Sequence, residues 1–163
     1  MRRFRPILAA GTLLLALCPI ALSPVLSRTA AYASGCSGST CDYQDVGSFQ
    51  CYAGGVGADY SAIIKDGGGN QQGVISMYST NPGCNAYYGN TYSSIYTSEI
   101  DVTLHRTDGA TTTSYSPLGS PQQSVNVQSL MLGRVGAQLL QACGTVYNSS
   151  HSTRWSNCTA YAY

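Results

Sequence analysis

The segment "SEIDVTLHR" carries the side chains best suited to acid–base chemistry in this chain: Glu99, Asp101 and His105. Each stands an even number of residues from the next. In an extended strand such residues share a face, which sets the two carboxyl groups ~7 Å apart and His105 ~13 Å from Asp101. Two carboxylates so spaced could serve as general acid and base in hydrolysis, or grip a hard cation. An outer strand also shows water this pattern, and charges there discourage edge pairing. The solvated-face reading is preferred, because Ile100, Val102 and Leu104 fill the alternate positions as a half-buried strand requires.

Other chemistries find less support. No Gly-x-Ser-x-Gly elbow is present. Past the N-terminal leader, only His105 and His151 could act as the base of a serine triad. The run "DGGGNQQG" at 66–73 offers oxygens to calcium but lacks the alternating ligands of a calcium loop, so it reads as a hairpin turn. Asp42 and Asp45 flank a cysteine loop and read as Asx-turn residues, with a metal or partner contact as their other use. No metal site and no cofactor are expected.

Tyrosine is the unusual component. There are 13 in the chain, and Tyr87, Tyr88, Tyr92 and Tyr96 crowd one segment. Exposed tyrosines suit a binding surface, with an apolar ring and a hydrogen-bonding tip. In a chain with only two Phe they could equally build the core and its cross-strand pairs. If one unbroken strand ran from Tyr87 to Leu104, Tyr88, Tyr92 and Tyr96 would share the inward parity of Ile100. Tyr87 would then be the outward ring. Tyr87 and Tyr92, with Trp155 in a polar loop, are the candidate binding residues.

The N-terminus sets the compartment. Arg2, Arg3 and Arg5 precede an apolar run, Ile7 to Leu17, and Ala31-Tyr32-Ala33 is a small-x-small cleavage site. Residues 1–33 read as a signal peptide and 34–163 as a single domain. Pro19 and Pro24 interrupt the apolar run, which argues against a lasting membrane anchor. Leu17 is too large for a lipoprotein site at Cys18. No full twin-arginine consensus surrounds Arg2-Arg3. After cleavage, four cations face seven carboxylates, a net charge of −3. Scattered cations make no basic stripe, which argues against nucleic acid as a partner.

Six cysteines remain: Cys36, Cys41, Cys51, Cys84, Cys143 and Cys158. An even count in an exported chain reads as three disulfides, whose pairing the spacing does not choose. C-x-x-C knuckles for zinc and C-x-x-C redox pairs are both absent. With every thiol bridged, a cysteine nucleophile is not expected.

The elements that hold these residues read as β. Gly, Ser, Thr and Tyr dominate, which disfavours helix. "DYSAIIK" and "GVISMYS" form a hairpin across "DGGGNQQ". Asp108-Gly109 turns the strand of Glu99 and Asp101 back through "ATTTSYSPL". Residues 124–147 alternate as a strand at Val125 and Val127, but Leu130, Ala137 and Leu140 could share a helical face. "RWSNCTAYAY" reads as a last strand pinned by Cys158. The expected fold is all-β: a compact disulfide-stapled sandwich or barrel, with one short helix left open.

Three fragments together carry a resemblance. "CSGSTCDYQDVGSFQC" opens with close cysteines around an Asp-containing loop. "GVISMYSTNPGCNAYYGNTYS" runs from a strand ending in Tyr-Ser through a cysteine to an aromatic strand. "SLMLGRVGAQLLQACG" leads to "NCTAYAY". In this order they resemble the YjfA-like domain of unknown function, found in exported proteins of Gram-positive bacteria. The resemblance spans most of 36–161. It differs at Tyr88, where tryptophan is usual, and at Asn90, near the usual arginine. It implies an exported, disulfide-bonded β domain and brings no catalytic residue.

The expected function is that of a secreted binding or interaction module whose partner is a cell-wall glycan or a secreted protein. A small hydrolase using Glu99 and Asp101 is the alternative, followed by an inhibitor or structural surface protein. N-terminal sequencing of the protein from culture medium should read Ser34 first. Recovery of Met1 in a membrane fraction would contradict the signal peptide.

Overall fold

Alternation of apolar and polar side chains, punctuated by turns, gives nine strands in the computed structural model, which describes residues 35–52 and 57–163. They are β1 (Tyr60–Lys65), β2 (Gln71–Ser79), β3 (Ala86–Ser93), β4 (Thr97–Arg106), β5 (Thr111–Gln122), β6 (Asn126–Gln128), β7 (Leu132–Gly133), β8 (Leu140–Tyr147) and β9 (Arg154–Cys158). The expected signal peptide (1–33) and its cleavage site before Ser34 lie outside the described residues.

The strands form two antiparallel sheets. The first has the order β1-β2-β3-β6, with β7 also paired to β3. The second has the order β5-β4-β8-β9. Both expected hairpins are present. Asp66 closes the first turn by accepting from the Gly68 and Asn70 amides at 2.9 and 2.8 Å. In the second, Gly109 takes φ +97°, a left-handed position that glycine enters freely.

The sheets pack face to face, so the fold is a sandwich rather than a barrel. Ile64, Ile75, Met77 and Tyr87 from one sheet meet Ile100, Val102, Leu104, Ala142 and Val146 from the other. Gly144 faces inward where the sheets come closest. A Cβ there would stand 2.3 Å from Thr91 Oγ1, so only glycine fits. Along one side the Asn157 amide on β9 donates to the Ile63 carbonyl on β1 at 2.8 Å.

A second, smaller core lies on the opposite face of the first sheet. Residues 35–52 cover the end of β3 there. Cys41, Val46 and Cys51 pack on Ala86, Tyr88, Cys84 and Met131. The disulfides are Cys36–Cys41, Cys51–Cys84 and Cys143–Cys158. The second staples the covering segment to the sheet. The third joins directly paired residues of β8 and β9. Three disulfides fit an oxidising compartment.

The possible helix near 130–140 does not form. Leu132 and Gly133 pair with β3, and Gly136 at φ +56° turns the chain toward β8. Helical structure among the described residues is one 3-10 turn, Gly38–Cys41.

Asp42 was expected to cap an Asx-turn and instead holds a buried cation. Its carboxylate accepts two bonds from Arg106, Nη1 at 2.7 Å and Nη2 at 2.8 Å. Arg106 Nε reaches Asp108 at 3.0 Å, and Nη1 also donates to the Gly133 carbonyl at 2.8 Å. The Arg106 side chain is 4% exposed. The Asp42 hydrogen bonds, ahead of the effect of Asp108, hold the guanidinium proton more tightly than usual. Asp45 does form the expected turn, accepting from the Ser48 amide at 2.8 Å.

Asp42→Ala leaves Arg106 with half of its counter-charge in a buried site. It should lower the unfolding free energy by ~3 kcal/mol, the scale for breaking a buried pair. Urea denaturation measures this. Replacing both partners, Asp42→Leu with Arg106→Met, should recover part of the loss; a double variant worse than Asp42→Ala would refute the assignment.

Candidate functional site

Strand β4 lies inside the second sheet, so its polar side chains face outward between two neighbours. The register places Tyr115 of β5 and Thr145 of β8 on either side of Asp101, with Ser156 of β9 beyond Thr145. Glu99 lies one step along the same face. His105 sits between Thr111 and Gln141, and its Nδ1 is 3.3 Å from Thr111 Oγ1. It therefore belongs to the far end of the face and forms no dyad with Asp101.

A different histidine approaches the acidic end. His151 stacks on Tyr147 with ring centroids 4.4 Å apart, and its Nδ1 lies 3.3 Å from Ser98 Oγ. The β8–β9 turn brings it there, which spacing within β4 could not indicate. Burial pushes the Asp101 carboxyl above its ordinary value, and nearby Glu99 adds to this. Hydrogen bonding from Thr145 and the charge of Arg154 act the other way. Both carboxylates are half-buried on the outer face of the sheet, so water keeps partial access and acid–base catalysis gains only in part from its surroundings.

The tyrosine segment needs correction. β3 ends at Ser93 and β4 starts at Thr97, so Tyr87 and Ile100 do not belong to one strand. Parity breaks at the connection. Tyr87 points into the sandwich and is buried, where its hydroxyl donates to the Tyr163 carbonyl at 2.7 Å. Burial raises the pKa of that hydroxyl. Tyr88 faces the other way but is covered by Tyr78, stacked at 5.1 Å, and by Tyr52, edge-on at 6.5 Å. Tyr96 lies in the connection and is exposed. Trp155 pairs with the buried Val146 and packs against the core, so it is not a free loop contact.

Tyr92 is the candidate that remains accessible, at 38% exposure. It lies on the outer face of the first sheet, beyond the end covered by residues 35–52. The register aligns Ile63, Val74 and Tyr92 across β1, β2 and β3. The next row is Ser61, Ser76, Asn90 and Gln128, across four strands and ~14 Å at the usual strand spacing. Ser124 Oγ holds the Tyr92 hydroxyl at 3.2 Å. Ser61 and Ser76 bond each other at 3.0 Å. The Asn90 and Gln128 side-chain amides make no hydrogen bond among the described residues. An apolar stripe thus runs beside a row of donors and acceptors on a rigid sheet.

Metal ligation finds no support among the cysteines. The Sγ atoms of Cys36, Cys51 and Cys84 lie within 4.8 Å of one another, but each is in a disulfide and offers no thiolate. The Asp66 carboxylate is occupied by its own turn and by the Gln72 amide at 2.9 Å. Among the described residues no helix is long and apolar enough to cross a membrane. Comparison with known proteins returns no family model, no curated protein and no solved structure that matches the chain.

The raised Asp101 pKa has a consequence for stability. A carboxyl whose folded pKa exceeds its unfolded one favours the folded state most when protonated. That contribution is lost as pH rises through the folded pKa. Asp101→Asn should therefore raise the melting temperature at pH 7, and the gain should vanish about a unit below the usual carboxylate pKa of roughly 4. A variant less stable than the parent at pH 7 would show that the Thr145 and Arg154 contacts outweigh burial.

Proposed function

We propose that this protein is an exported binding module that takes a neutral glycan of the cell surface on the outer face of its first sheet. One observation carries the reading: the Ile63–Val74–Tyr92 stripe lies beside a four-residue polar row whose two amides are unengaged. A sugar ring has an apolar face and a rim of hydroxyls. The first suits an aromatic and aliphatic stripe; the second suits Asn and Gln, which donate and accept. The sheet holds these groups in place before binding, which reduces the ordering cost. Membership of the YjfA-like family is part of the same proposal, supported by the all-β fold and by the six cysteines.

The hydrolase reading has one observation in its favour, the Glu99–Asp101 pair with its raised Asp101 pKa. A secreted inhibitor would need a projecting cysteine-held loop, whereas the Cys36–Cys41 loop lies folded on β7, with Gly38 against Gly133.

Sedimentation with purified cell-wall glycan separates these readings. Tyr92→Ala and Asn90→Ala should each weaken binding roughly tenfold, the scale of losing one good contact, with melting little changed. Glu99→Ala with Asp101→Ala should bind as the parent does. Loss of a hydrolytic activity in that carboxylate variant, with binding intact in the Tyr92 variant, would reverse the order.

A further inference from the structure

A cavity of about 360 Å³ lies away from both sheet faces discussed above. It is lined by Ser79, Thr80, Asn81, Asn85 and Arg134, with Pro82 and Ala86 as its apolar part. The strand-connecting loop that forms its wall is fixed. Thr80 Oγ1 bonds the Ala86 carbonyl at 3.0 Å and accepts from its amide at 2.9 Å. The Asn81 amide donates to the Gln50 carbonyl at 2.8 Å and its oxygen accepts from the Gly83 amide at 3.1 Å. The Cys51–Cys84 disulfide closes the same loop.

Those bonds leave three groups without a side-chain hydrogen bond among the described residues: the Ser79 hydroxyl, the Asn85 amide and the Arg134 guanidinium. Arg134 is exposed and has no carboxylate within ion-pair distance there. Its guanidinium lies 5.7 Å from the centroid of the Tyr87 ring. Its backbone is tied to the loop, since the Arg134 amide donates to the Asn85 carbonyl at 3.0 Å. A guanidinium fork aided by an amide and a hydroxyl suits a planar carboxylate. The volume lies at the small end of ligand sites. Asp59 accepts from the Ser79 amide beside this wall; its charge opposes any anion there, a dianion about twice as strongly as a carboxylate, so the site suits a singly charged group held by Arg134.

We infer that this cavity binds a terminal carboxylate bearing a small aliphatic substituent, with Arg134 gripping the carboxylate, Ser79 and Asn85 completing its hydrogen bonds, and Pro82 and Ala86 packing on the substituent. A free small acid and the end of a peptide share this chemistry. The site is independent of the glycan face, because neither Tyr92 nor Asn90 lines it.

Amide-resolved NMR titration of the exported protein tests it, with propanoate, N-acetylalanine, N-acetylalaninamide and inorganic phosphate as probes. Propanoate and N-acetylalanine should shift the Ser79, Asn85 and Arg134 signals saturably. The amide-capped compound should not, and phosphate should bind more weakly. N-acetylalanine tighter than propanoate points to a peptide end, and the reverse to a free acid. Arg134→Gln should fold unchanged, as its spectrum would show, and bind the carboxylates roughly tenfold more weakly, whereas Tyr92→Ala should leave this titration untouched. Equal binding of the amide-capped compound, stronger binding of phosphate, unchanged affinity in Arg134→Gln, or no shift with any probe would each overturn the assignment.

Discussion

The arrangement depends on the buried ion pair between Arg106 and Asp42. One guanidinium joins three segments distant in the chain: the N-terminal segment through Asp42, the β4–β5 hairpin through Asp108, and β7 through the Gly133 carbonyl. Asp42 returns to β7 by accepting from the Gly133 amide at 2.8 Å. A buried charge is costly unless paired and hydrogen-bonded, and here both conditions are met. The pair therefore fixes where residues 35–52 can lie. The 3-10 turn can approach only because residue 133 is glycine: a Cβ there would collide with the Gly38 carbonyl at 1.6 Å.

That placement divides the outer face of the first sheet. One end becomes a second core, with two disulfides and the Tyr52, Tyr78 and Tyr88 rings. The other end keeps Ile63, Val74, Tyr92, Asn90 and Gln128 open. A single covering segment thus supplies stability on one half of the sheet and leaves a usable surface on the other. The Cys51–Cys84 link also braces the loop around the Arg134 cavity, so two separate candidate sites share one structural support.

Tyrosine serves this fold both in its cores, at Tyr87 and Tyr88, and on its surface. Ile, Val, Leu and Met make up most of the large fully buried side chains. Tyr87 enters the sandwich with its hydroxyl bonded. Tyr43, Tyr52, Tyr92, Tyr96, Tyr115, Tyr161 and Tyr163 are exposed. Glycine at the inward position 144 lets the sheets approach until Thr91 takes the space a Cβ would fill.

Local pattern determined the sheet-forming parts. Period-two alternation placed Ile100, Val102 and Leu104 inward and Glu99, Asp101 and His105 outward, because a strand's faces follow from its own sequence. Asp108-Gly109 and the glycine run after Asp66 marked both hairpins through turn chemistry. Cysteine parity predicted three bridges, but their pairing required the register of β8 against β9 and the covering of β3. Tertiary structure alone decided the orientation of Tyr87, since a break of a few residues at Ser94–Tyr96 reverses parity without any compositional signal. It alone brought His151 to the acidic end of β4, gave Asp42 its buried partner, and set Arg134 beside Asn85. Each of these is a contact between residues far apart in sequence, fixed by packing and charge compensation rather than by local preference. The hydrogen bonds that leave Asn85, Asn90 and Gln128 free are likewise properties of the assembled sheets.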